Sequence, residues 1–410
     1  LLTDPASLAW LFNIRGSDVV HNPLALGFAI VPTSAKPILF MDNRKVSAEI
    51  RDTLSKIIEF HEPDQLEDEI KKRVREKAVL CDENLLPAYL ADVIKQAGGK
   101  IEHGRDPVVL PRAIKNPTEI EGTKKSQIRD GVAVCKFLCW LDHQKPSAIT
   151  EISAAQKLEA LRASNAIEMG SELEEISFDA ISAFGPHAAI PHYRVSNKTS
   201  LQFESDTLYL IDSGGQYLDG TTDITRTVAV GNPPKSAVVD FTLVLKGHIA
   251  IATTRFPKGT RGVDLDPFAR HALWQEGKDF NHGTGHGVGA YLNVHEGPQS
   301  ISKRGMEVLK PGMIISNEPG YYVEGAYGIR IENLVLVTEQ EKLENGNVET
   351  HSFETLTLAP IDTRLVAASM LTDAEREWLN DYHVWVRETL LPHLSDDHER
   401  DWLVATTKAI

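Results

Sequence analysis

The sequence predicts a chain of two domains, a smaller α/β domain followed by a larger α+β domain. Residues 1–112 alternate short apolar runs with charged segments whose apolar residues recur at helical spacing, which is typical of an α/β domain. Residues 113–410 run twice through the order helix, helix, pair of strands, which predicts a duplicated α+β unit around a common sheet. Pro107, Pro111 and Pro117 mark the segment between the two patterns, so we place the domain boundary at residue 112.

In the first domain the expected strands are short and mostly buried. Apolar runs predict strands over residues 8–14, 26–31, 37–41 and 78–81, and helical spacing predicts helices over 47–60 and 66–77. The chain enters the first of these strands after a few residues and starts without a methionine. We therefore expect a fragment or processed product, in which the first elements of this domain are missing.

In the second domain, helix-start signals precede the long helices. Thr118 and Glu121 are spaced as a capping box for a helix to about residue 142, and Ser153 and Gln156 have the same spacing for the next helix. Strands are expected over 208–212 and 222–230, with a Ser-Gly-Gly turn region after the first. The order then recurs, with helices over 235–255 and 264–276 and strands over 313–317 and 328–337.

The charge and the hydropathy pattern exclude several classes of partner. The chain carries 43 lysines and arginines against 58 aspartates and glutamates, a net charge of −15, which disfavours nucleic acid and acidic membrane surfaces as partners. A membrane-spanning helix needs about 18 or more consecutive apolar residues, and the sequence has no such run. The first residues also lack the basic and apolar regions of a signal peptide.

The three cysteines, Cys81, Cys135 and Cys139, show no paired spacing of the kind found in disulfide frameworks. This usage predicts a reducing, cytoplasmic location. Cys135 and Cys139 lie four positions apart in an apolar helical stretch, and we expect both to be buried structural thiols.

Four acidic residues stand at or within apolar strands of the second domain. Asp212 ends the run 208–211, and Asp223 follows it near the start of the paired strand. The second round repeats this arrangement, with Glu318 after the run 313–317 and Glu332 within the apolar stretch 329–335. Four converging carboxylates would raise one another's pKa values unless cations lay between them, so the pattern favours a centre with two divalent ions.

A glycine-histidine segment supplies the candidate nitrogen ligand. Residues 282–289 read His-Gly-Thr-Gly-His-Gly-Val-Gly, in which glycines permit close approach of the backbone to a metal or substrate, and His295 follows. One imidazole among four carboxylates is a hard, oxygen-rich ligand set, which suits Mn²⁺ first and Co²⁺ or Zn²⁺ next. Two ions about 3.5–4 Å apart, bridged by a hydroxide, form a hydrolytic centre.

Each of these residues also has an ordinary structural interpretation. Asp212 alone could be a turn residue, Asp223 could be ion-paired locally, and Glu318 could start a turn before Pro319. Glu332 could pair with Arg330 on a sheet face, and the segment's histidines, His282 and His286, could be structural. The two acidic strand pairs on either side of a glycine-histidine loop are far more specific together than any single member.

At these residues the sequence resembles the aminopeptidase P group of the pita-bread metallopeptidases, most closely its long, three-domain, cytosolic form. The motifs that carry the resemblance are AWLFNIRGSDVVHNP (9–23), LIDSGGQYLDGTTDITRT (210–227), HGTGHGVGAYLNVHEGP (282–298), EPGYYVEGAYGIRIENLVLV (318–337) and WLNDYH (378–383). The resemblance implies a pita-bread catalytic domain over 113–410, with a C-terminal extension, after a partial creatinase-like domain over 1–112. The family's long form has a further N-terminal domain before this point, so full activity and peptide-length preference are open.

The resemblance also implies roles for individual residues. Asp212 would bind one metal ion, Asp223 and Glu332 would bridge both, and His286 and Glu318 would hold the other. Glu318 would also act as general base towards the bridging hydroxide. The remaining matched positions would orient substrate, stabilise the tetrahedral intermediate or lie near the proline pocket: His192, His295, His282, Tyr322 and Arg330. The reaction implied is release of the N-terminal residue from peptides with proline second, by a cytoplasmic homodimer.

Two other functions remain open on the sequence. A prolidase-type enzyme shares the fold and the five ligands but cleaves Xaa-Pro dipeptides. A pita-bread module that has lost its metals would bind peptides or proteins instead, although this chain keeps all five ligand positions. Creatine-type amidinohydrolysis ranks lower, because it needs a different set of active-site residues.

Overall fold

The computed structural model describes all 410 residues, which form two compact units, Leu1–Arg112 and Ala113–Ile410. Each unit buries its own apolar clusters: Leu8, Ala29 and Leu39 are core residues of the first, and Phe137 and Tyr209 of the second. None of the helices combines the length and the apolar character needed to cross a lipid bilayer.

The first unit has an α/β fold with short elements. Its helices are α1 (Pro5–Phe12), α2 (Ala48–Leu54), α3 (Leu66–Arg73), α4 (Ala88–Gln96) and α5 (Val109–Ala113), and its strands are β1 (Phe28–Ile30), β2 (Ile38–Phe40), β3 (Glu59–His61), β4 (Ala78–Cys81) and β5 (Lys100–His103). Strand β2 pairs antiparallel with β1 and parallel with β3, while β4 and β5 form a parallel pair. The parallel pairings agree with the α/β class that the sequence predicts.

The first element is a helix, so the predicted strand over residues 8–14 is wrong. Asp4 accepts a backbone N–H of the first turn, Pro5 occupies the first turn, and Asn13 ends the helix in the left-handed conformation. Leu8 and Phe12 are both buried, a spacing that one helix face provides. A short apolar run does not distinguish strand from buried helix, and here the Asp-Pro start decides.

Two further elements of this unit differ from expectation. Residues 59–61, predicted as the end of a helix, form strand β3, because they pair with β2 at the centre of the sheet. Helix α4 and strand β5 were not predicted, and both follow β4 as a second strand–helix–strand crossover.

The second unit is built from long helices and antiparallel sheets. Its helices are α6 (Pro117–Asp142), α7 (Glu151–Glu168), α8 (Lys235–Ala252), α9 (Gly262–Gln275), α10 (Asp373–Leu390) and α11 (Asp397–Thr406). Its strands are β6 (Glu175–Ile176), β7 (Ile181–Phe184), β8 (Thr207–Ser213), β9 (Gly215–Tyr217), β10 (Gly220–Thr221), β11 (Ile224–Val230), β12 (Phe256–Pro257), β13 (Gly285–Gly287), β14 (Glu296–Ile301), β15 (Ile314–Asn317), β16 (Gly320–Val323), β17 (Tyr327–Arg330), β18 (Asn333–Val337), β19 (Glu341–Lys342), β20 (Glu349–His351) and β21 (Phe353–Thr355). Short 3₁₀ helices occupy 43–45 and 63–65 in the first unit and 146–148, 185–189, 363–365, 368–370 and 391–393 in the second.

The two helix–helix–strand-pair rounds are present. The first consists of α6 and α7 with the antiparallel pair β8–β11, and the second of α8 and α9 with the antiparallel pair β15–β18. Both early capping boxes lie nearer the N-terminus than predicted. Asn116 with Glu119 caps α6, and Thr150 with Ser153 caps α7. Asn116 takes the cap because Pro117 is then at the first helical position, where its missing N–H costs nothing.

A buried arginine joins the strand pairs of the two rounds. Arg226 of β11 is 2% exposed, and its guanidinium donates to the Glu332 carbonyl oxygen at 2.6 Å and to Asn333 Oδ1 at 2.8 Å. It also donates to the carbonyl oxygens of Ala359 and Pro360, at 2.9 and 3.0 Å. Five donors in one rigid fork thus hold the ends of several segments together.

Two buried histidines of this unit carry neutral rings. Burial, reinforced by the positive charge of Arg226, lowers the pKa of His248 to about 3 and that of His383 to about 4. In an unfolded chain both would take up protons near pH 6.5. Between about pH 6.5 and pH 4 the unfolded state therefore binds more protons than the folded state, and stability falls as the pH drops through this window.

We expect His383→Gln to weaken this acid sensitivity. A glutamine amide stays neutral and can accept the Ile361 N–H that His383 Nε2 accepts at 3.1 Å. The lowered pKa of His383 corresponds to about 3 kcal/mol of stability lost by pH 4. Urea unfolding at pH 7 and at pH 4 gives the free energy of unfolding at each pH. The decrease between the two pH values should be smaller in the variant than in the wild type by about that amount. His393→Gln, at an exposed position, is the control and should lose as much stability as the wild type. An equally steep loss in both proteins would contradict the assignment.

Candidate metal centre

The first pair of acidic side chains comes from β8 and β11. Asp212 lies in β8 opposite Thr225, and Asp223 directly precedes β11. Both are buried, at 8% and 3% exposure. The chain between them passes close to itself: a Cβ on Gly214 would lie 1.9 Å from the Thr222 carbonyl oxygen, so only glycine fits there.

The second pair flanks one end of β15 and β18. Glu318 follows β15, and Glu332 precedes β18, whose Asn333 pairs with Asn317 of β15. The sequence pattern predicted one strand over 328–337, but the structure interrupts it at Ile331 and Glu332. The Glu332 N–H donates to the Thr225 carbonyl oxygen at 3.2 Å, which links this break to the first acidic pair.

The nitrogen ligand comes from the glycine-rich segment. His286 lies in β13, and its Nδ1 faces the Gly287 carbonyl oxygen at 2.9 Å, so this nitrogen donates and Nε2 is left to face the carboxylates. Nε2 lies 3.5 Å from Asp223 Oδ2 and 3.3 Å from Glu318 Oε1. A Cβ on Gly285 would lie 1.8 Å from a backbone oxygen of β15, so the glycine permits this approach, as expected.

The structure brings the five sequence-predicted metal ligands together. Candidate ligand atoms of Asp212, Asp223 and Glu332 all lie within 4.8 Å of one another, and so do those of His286, Glu318 and Glu332. Glu332 thus belongs to both groups. A third group of the same compactness contains Asp223, His286 and His295, whereas the sequence resemblance implies only a substrate-side role for His295.

The cluster carries an excess of buried negative charge. Burial raises the pKa of Asp223 to about 6 and that of Glu318 to about 7, and it holds the pKa of Glu332 well above its usual range. Arg330 donates a hydrogen bond of 2.6 Å to Asp212 Oδ2, while Asp212 Oδ1 is buried without a hydrogen-bond partner. Divalent cations would satisfy both the surplus charge and the unbonded oxygen, so the residues present fit a two-ion centre.

Arg330, Tyr322 and His282 form a hydrogen-bonded chain beside the carboxylates. Arg330 Nη1 donates to the Tyr322 hydroxyl at 2.6 Å, and this hydroxyl donates to His282 Nε2 at 2.7 Å. His282 Nδ1 in turn donates to the Gly283 carbonyl oxygen at 2.8 Å. Burial, followed by the charge of Arg330, lowers the pKa of His282 to about 3, so its ring is neutral and fixed in one tautomer.

The acidic cluster opens into a cavity of about 790 Å³, a size suited to a short peptide. Nine of the ten sequence-predicted site residues line it, including the exposed His192 and His295. Tyr322 is not among the lining residues, although it is bonded to two of them.

Three supporting residues were missed by the sequence analysis. Thr225 Oγ1 donates to Glu332 Oε2 at 2.7 Å, and Ser316 Oγ donates to Glu318 Oε1 at 3.0 Å. Arg270 is 1% exposed, lines the cavity and donates to the His282 carbonyl oxygen at 2.8 Å. Its spacing from Asp266, four positions earlier on α9, was the one available signal, but that spacing is common on solvated helix faces.

Family models match the chain along nearly its whole length. Residues 121–339 match the model described as metallopeptidase family M24. Residues 1–119 match a creatinase/prolidase N-terminal domain, and residues 349–410 match the C-terminal region of the same peptidase family.

Similar proteins and structures carry related names. Aminopeptidase P1 of Lotus japonicus is 38% identical over 475 residues, covering 100% of this chain and 71% of that protein. A probable Xaa-Pro aminopeptidase P of Paracoccidioides brasiliensis is 39% identical and covers 98% of this chain and 68% of that protein.

Solved structures share the fold. The X-prolyl aminopeptidase of Caenorhabditis elegans, described as a cytosolic enzyme with a di-nuclear active site, matches with a TM-score of 0.87 and 36% identity over 99% of this chain and 67% of that one. The prolidase of Pyrococcus furiosus matches with a TM-score of 0.67 and 25% identity over 86% of this chain and 94% of that one. On its fold, the acidic cluster and the match over residues 121–339, this chain belongs to metallopeptidase family M24, the pita-bread peptidases.

Proposed function

We propose that this chain is a dinuclear metal-dependent Xaa-Pro aminopeptidase, which releases the N-terminal residue from peptides with proline in second place. The observation that carries the proposal is the convergence of four carboxylates, three of them buried, and His286 on one cavity. Relatives named probable Xaa-Pro aminopeptidase P, at 38–39% identity over 98% of the chain, support the substrate class. The proposed catalytic domain comprises residues 113–410, which contain every residue of the site.

The five ligands are assigned from their grouping. Asp212 would hold one ion, His286 and Glu318 would hold the other, and Asp223 and Glu332 would be shared by both. Glu332 belongs to two of the compact groups, which supports a bridging role. Asp223 also belongs to two, one with Asp212 and one with His286, which supports the same role. The hard, oxygen-rich set favours Mn²⁺, with Co²⁺ and Zn²⁺ as alternatives.

When bound, the two ions would polarise the scissile carbonyl and make the attacking water more acidic. Glu318, whose Oε1 lies 3.3 Å from His286 Nε2 in the ligand group, would accept the proton of that water as general base. The Ser316 hydroxyl bonds Glu318 Oε1 and fixes its orientation. His192 and His295, which line the same cavity, orient the carbonyl and stabilise the developing oxyanion.

Two aromatic rings on one side of the cavity suit the proline ring. His282 is uncharged, and its ring centre lies 4.8 Å from that of Phe280, which also lines the cavity. Arg330 and Tyr322 hold His282 in position through the hydrogen-bonded chain. Proline's tertiary amide offers no N–H, so a wall without unsatisfied acceptors fits it better than a polar one.

We also propose a cytoplasmic location and a homodimer. Three free, buried cysteines fit a reducing compartment. The C. elegans enzyme is described as cytosolic. The dimer rests on the family resemblance, and light scattering of the purified chain tests it.

The deciding assay is release of the N-terminal residue from an Xaa-Pro-Pro tripeptide. We expect cleavage that EDTA abolishes and Mn²⁺ restores, because every proposed step depends on the ligated ions. The Xaa-Pro dipeptide and an Xaa-Ala-Pro tripeptide serve as comparison substrates, with metal content measured in each sample.

Other outcomes would overturn the proposal in different ways. Faster cleavage of the dipeptide than of its tripeptide extension would identify a prolidase-type enzyme. A chain that binds two ions but cleaves none of these peptides would not be an aminopeptidase. A chain that takes up no metal with Mn²⁺ supplied would be a binding module.

A further inference from the structure

A cysteine and two histidines meet at a point that the catalytic cavity does not include. Cys139 lies near the end of α6, His143 follows that helix directly, and His398 lies in the first turn of α11. Candidate ligand atoms of the three all lie within 4.8 Å of one another. None of them lines the acidic cavity. We propose that Cys139, His143 and His398 form a further binding site for a single Zn²⁺-like cation, which fastens the C-terminal helix to α6.

The spacing of the ligand atoms fits tetrahedral coordination. Zn–S bonds of about 2.3 Å and Zn–N bonds of about 2.0–2.1 Å at tetrahedral angles place sulfur and nitrogen roughly 3.6 Å apart. Cys139 Sγ lies 3.6 Å from His398 Nδ1 and 4.0 Å from His143 Nδ1. The first distance already matches, and the second needs a shift of a few tenths of an ångström.

The positions of the side chains favour the same conclusion. The two imidazole rings stand edge to face with centres 4.1 Å apart, so their nitrogens converge on the sulfur. Both histidines are exposed, which gives a cation an entry from solvent, while Cys139 is 2% exposed. Burial raises the pKa of the Cys139 thiol to about 11, so the cation would displace the thiol proton on binding. His143 Nδ1 donates a hydrogen bond to the Cys139 carbonyl oxygen at 2.8 Å, at the end of α6. On metal binding this nitrogen would give up the hydrogen bond and ligate the cation.

The local charge favours a cation as well. Glu399, Asp142 and Asp396 all act on the Cys139 sulfur electrostatically, with Glu399 the strongest of these charges. A divalent cation would balance them, and a water or one of these carboxylates would complete the coordination. The sulfur ligand distinguishes this site from the acidic cluster, which contains no sulfur and therefore prefers harder ions.

The test uses Co²⁺ on the full, metal-stripped, reduced chain. A cobalt–thiolate bond gives a sulfur-to-metal charge-transfer band in the near ultraviolet, which the sulfur-free acidic centre does not produce. We expect this band to saturate at an intensity of one cobalt–thiolate site per chain, within about three added equivalents of Co²⁺ because the acidic centre takes up two, and to disappear when Zn²⁺ is added in excess. Metal analysis should show one more tightly held ion per chain than the acidic centre takes.

Variants decide which sulfur is involved. Cys139→Ala and His398→Ala should each abolish the band and lower the number of bound ions per chain by one. Because His398 is exposed, its variant tests the site even if Cys139→Ala folds poorly. Cys135→Ala, which removes a buried thiol four positions earlier on the same helix, should leave the band intact. Absence of the band in the wild-type chain, or its survival in the folded His398→Ala or Cys139→Ala variant, would overturn the proposal.

Discussion

Glu318→Gln is expected to lower kcat on an Xaa-Pro-Pro peptide by on the order of 10²–10⁴-fold. The amide keeps the shape of the side chain and one oxygen that can ligate, and it can still receive the Ser316 hydroxyl hydrogen bond. What it loses is the basic oxygen that takes the proton from the attacking water. The loss should therefore appear in kcat more than in KM.

The measurement combines steady-state kinetics with metal analysis of the same samples. Glu324→Gln, at an exposed position in the adjacent β16–β17 hairpin, is the matched control and should behave as wild type. If Glu318→Gln kept two ions and near wild-type turnover, Glu318 would not be the base. If it lost an ion, the kinetic comparison would be made at saturating Mn²⁺.

Asp223→Asn is expected to change stability in opposite directions with and without metal. Asp223 is 3% exposed and shares its surroundings with three other carboxylates. Burial raises the pKa of Asp223 to about 6, so without metal the removal of its charge relieves the cost of burying a carboxylate, and the melting temperature should rise. With Mn²⁺, the variant loses a bridging ligand, so it should bind fewer ions and melt below the wild type.

Paired melting curves in EDTA and in saturating Mn²⁺, with metal content determined, check this reversal. Asp381→Asn, at an exposed position of α10, is the control and should shift neither curve appreciably. A variant that melts below the wild type in EDTA would show that Asp223 stabilises the fold by another route. Full two-ion occupancy in the variant would contradict the bridging role.

The positions of the metal ligands could be predicted because each leaves a local signal. A carboxylate at the end of an apolar run is costly unless something compensates it, and Asp212 and Glu318 both stand at such ends. The glycines around His286 indicated a close approach, and the structure places Gly285 against β15. The duplicated order of helices and strands also indicated that the two acidic pairs lie close together, and their side chains do converge. The predicted common sheet is wrong in detail, since the two strand pairs belong to separate sheets.

Other features depend on long-range contacts that a single sequence does not display. The chain from Arg330 through Tyr322 to His282 joins residues of a hairpin to a separate loop, and no spacing rule indicates that contact. His398 meets Cys139 across 259 positions. Helix α1 was mistaken for a strand for a different reason, since a short apolar run has no clear period.

Arg226 and Thr225 lie in the first strand pair, while Glu332, which they contact, lies in the second, more than 100 positions later. The acidic centre is divided in the same way, with Asp212 and Asp223 on one side and His286, Glu318 and Glu332 on the other. A nascent or partly unfolded chain in which only one of the two strand pairs has formed therefore has an incomplete set of metal ligands. The ions then act as a cross-link between the two rounds of the duplicated unit, and metal uptake during refolding reports the moment at which those rounds have docked.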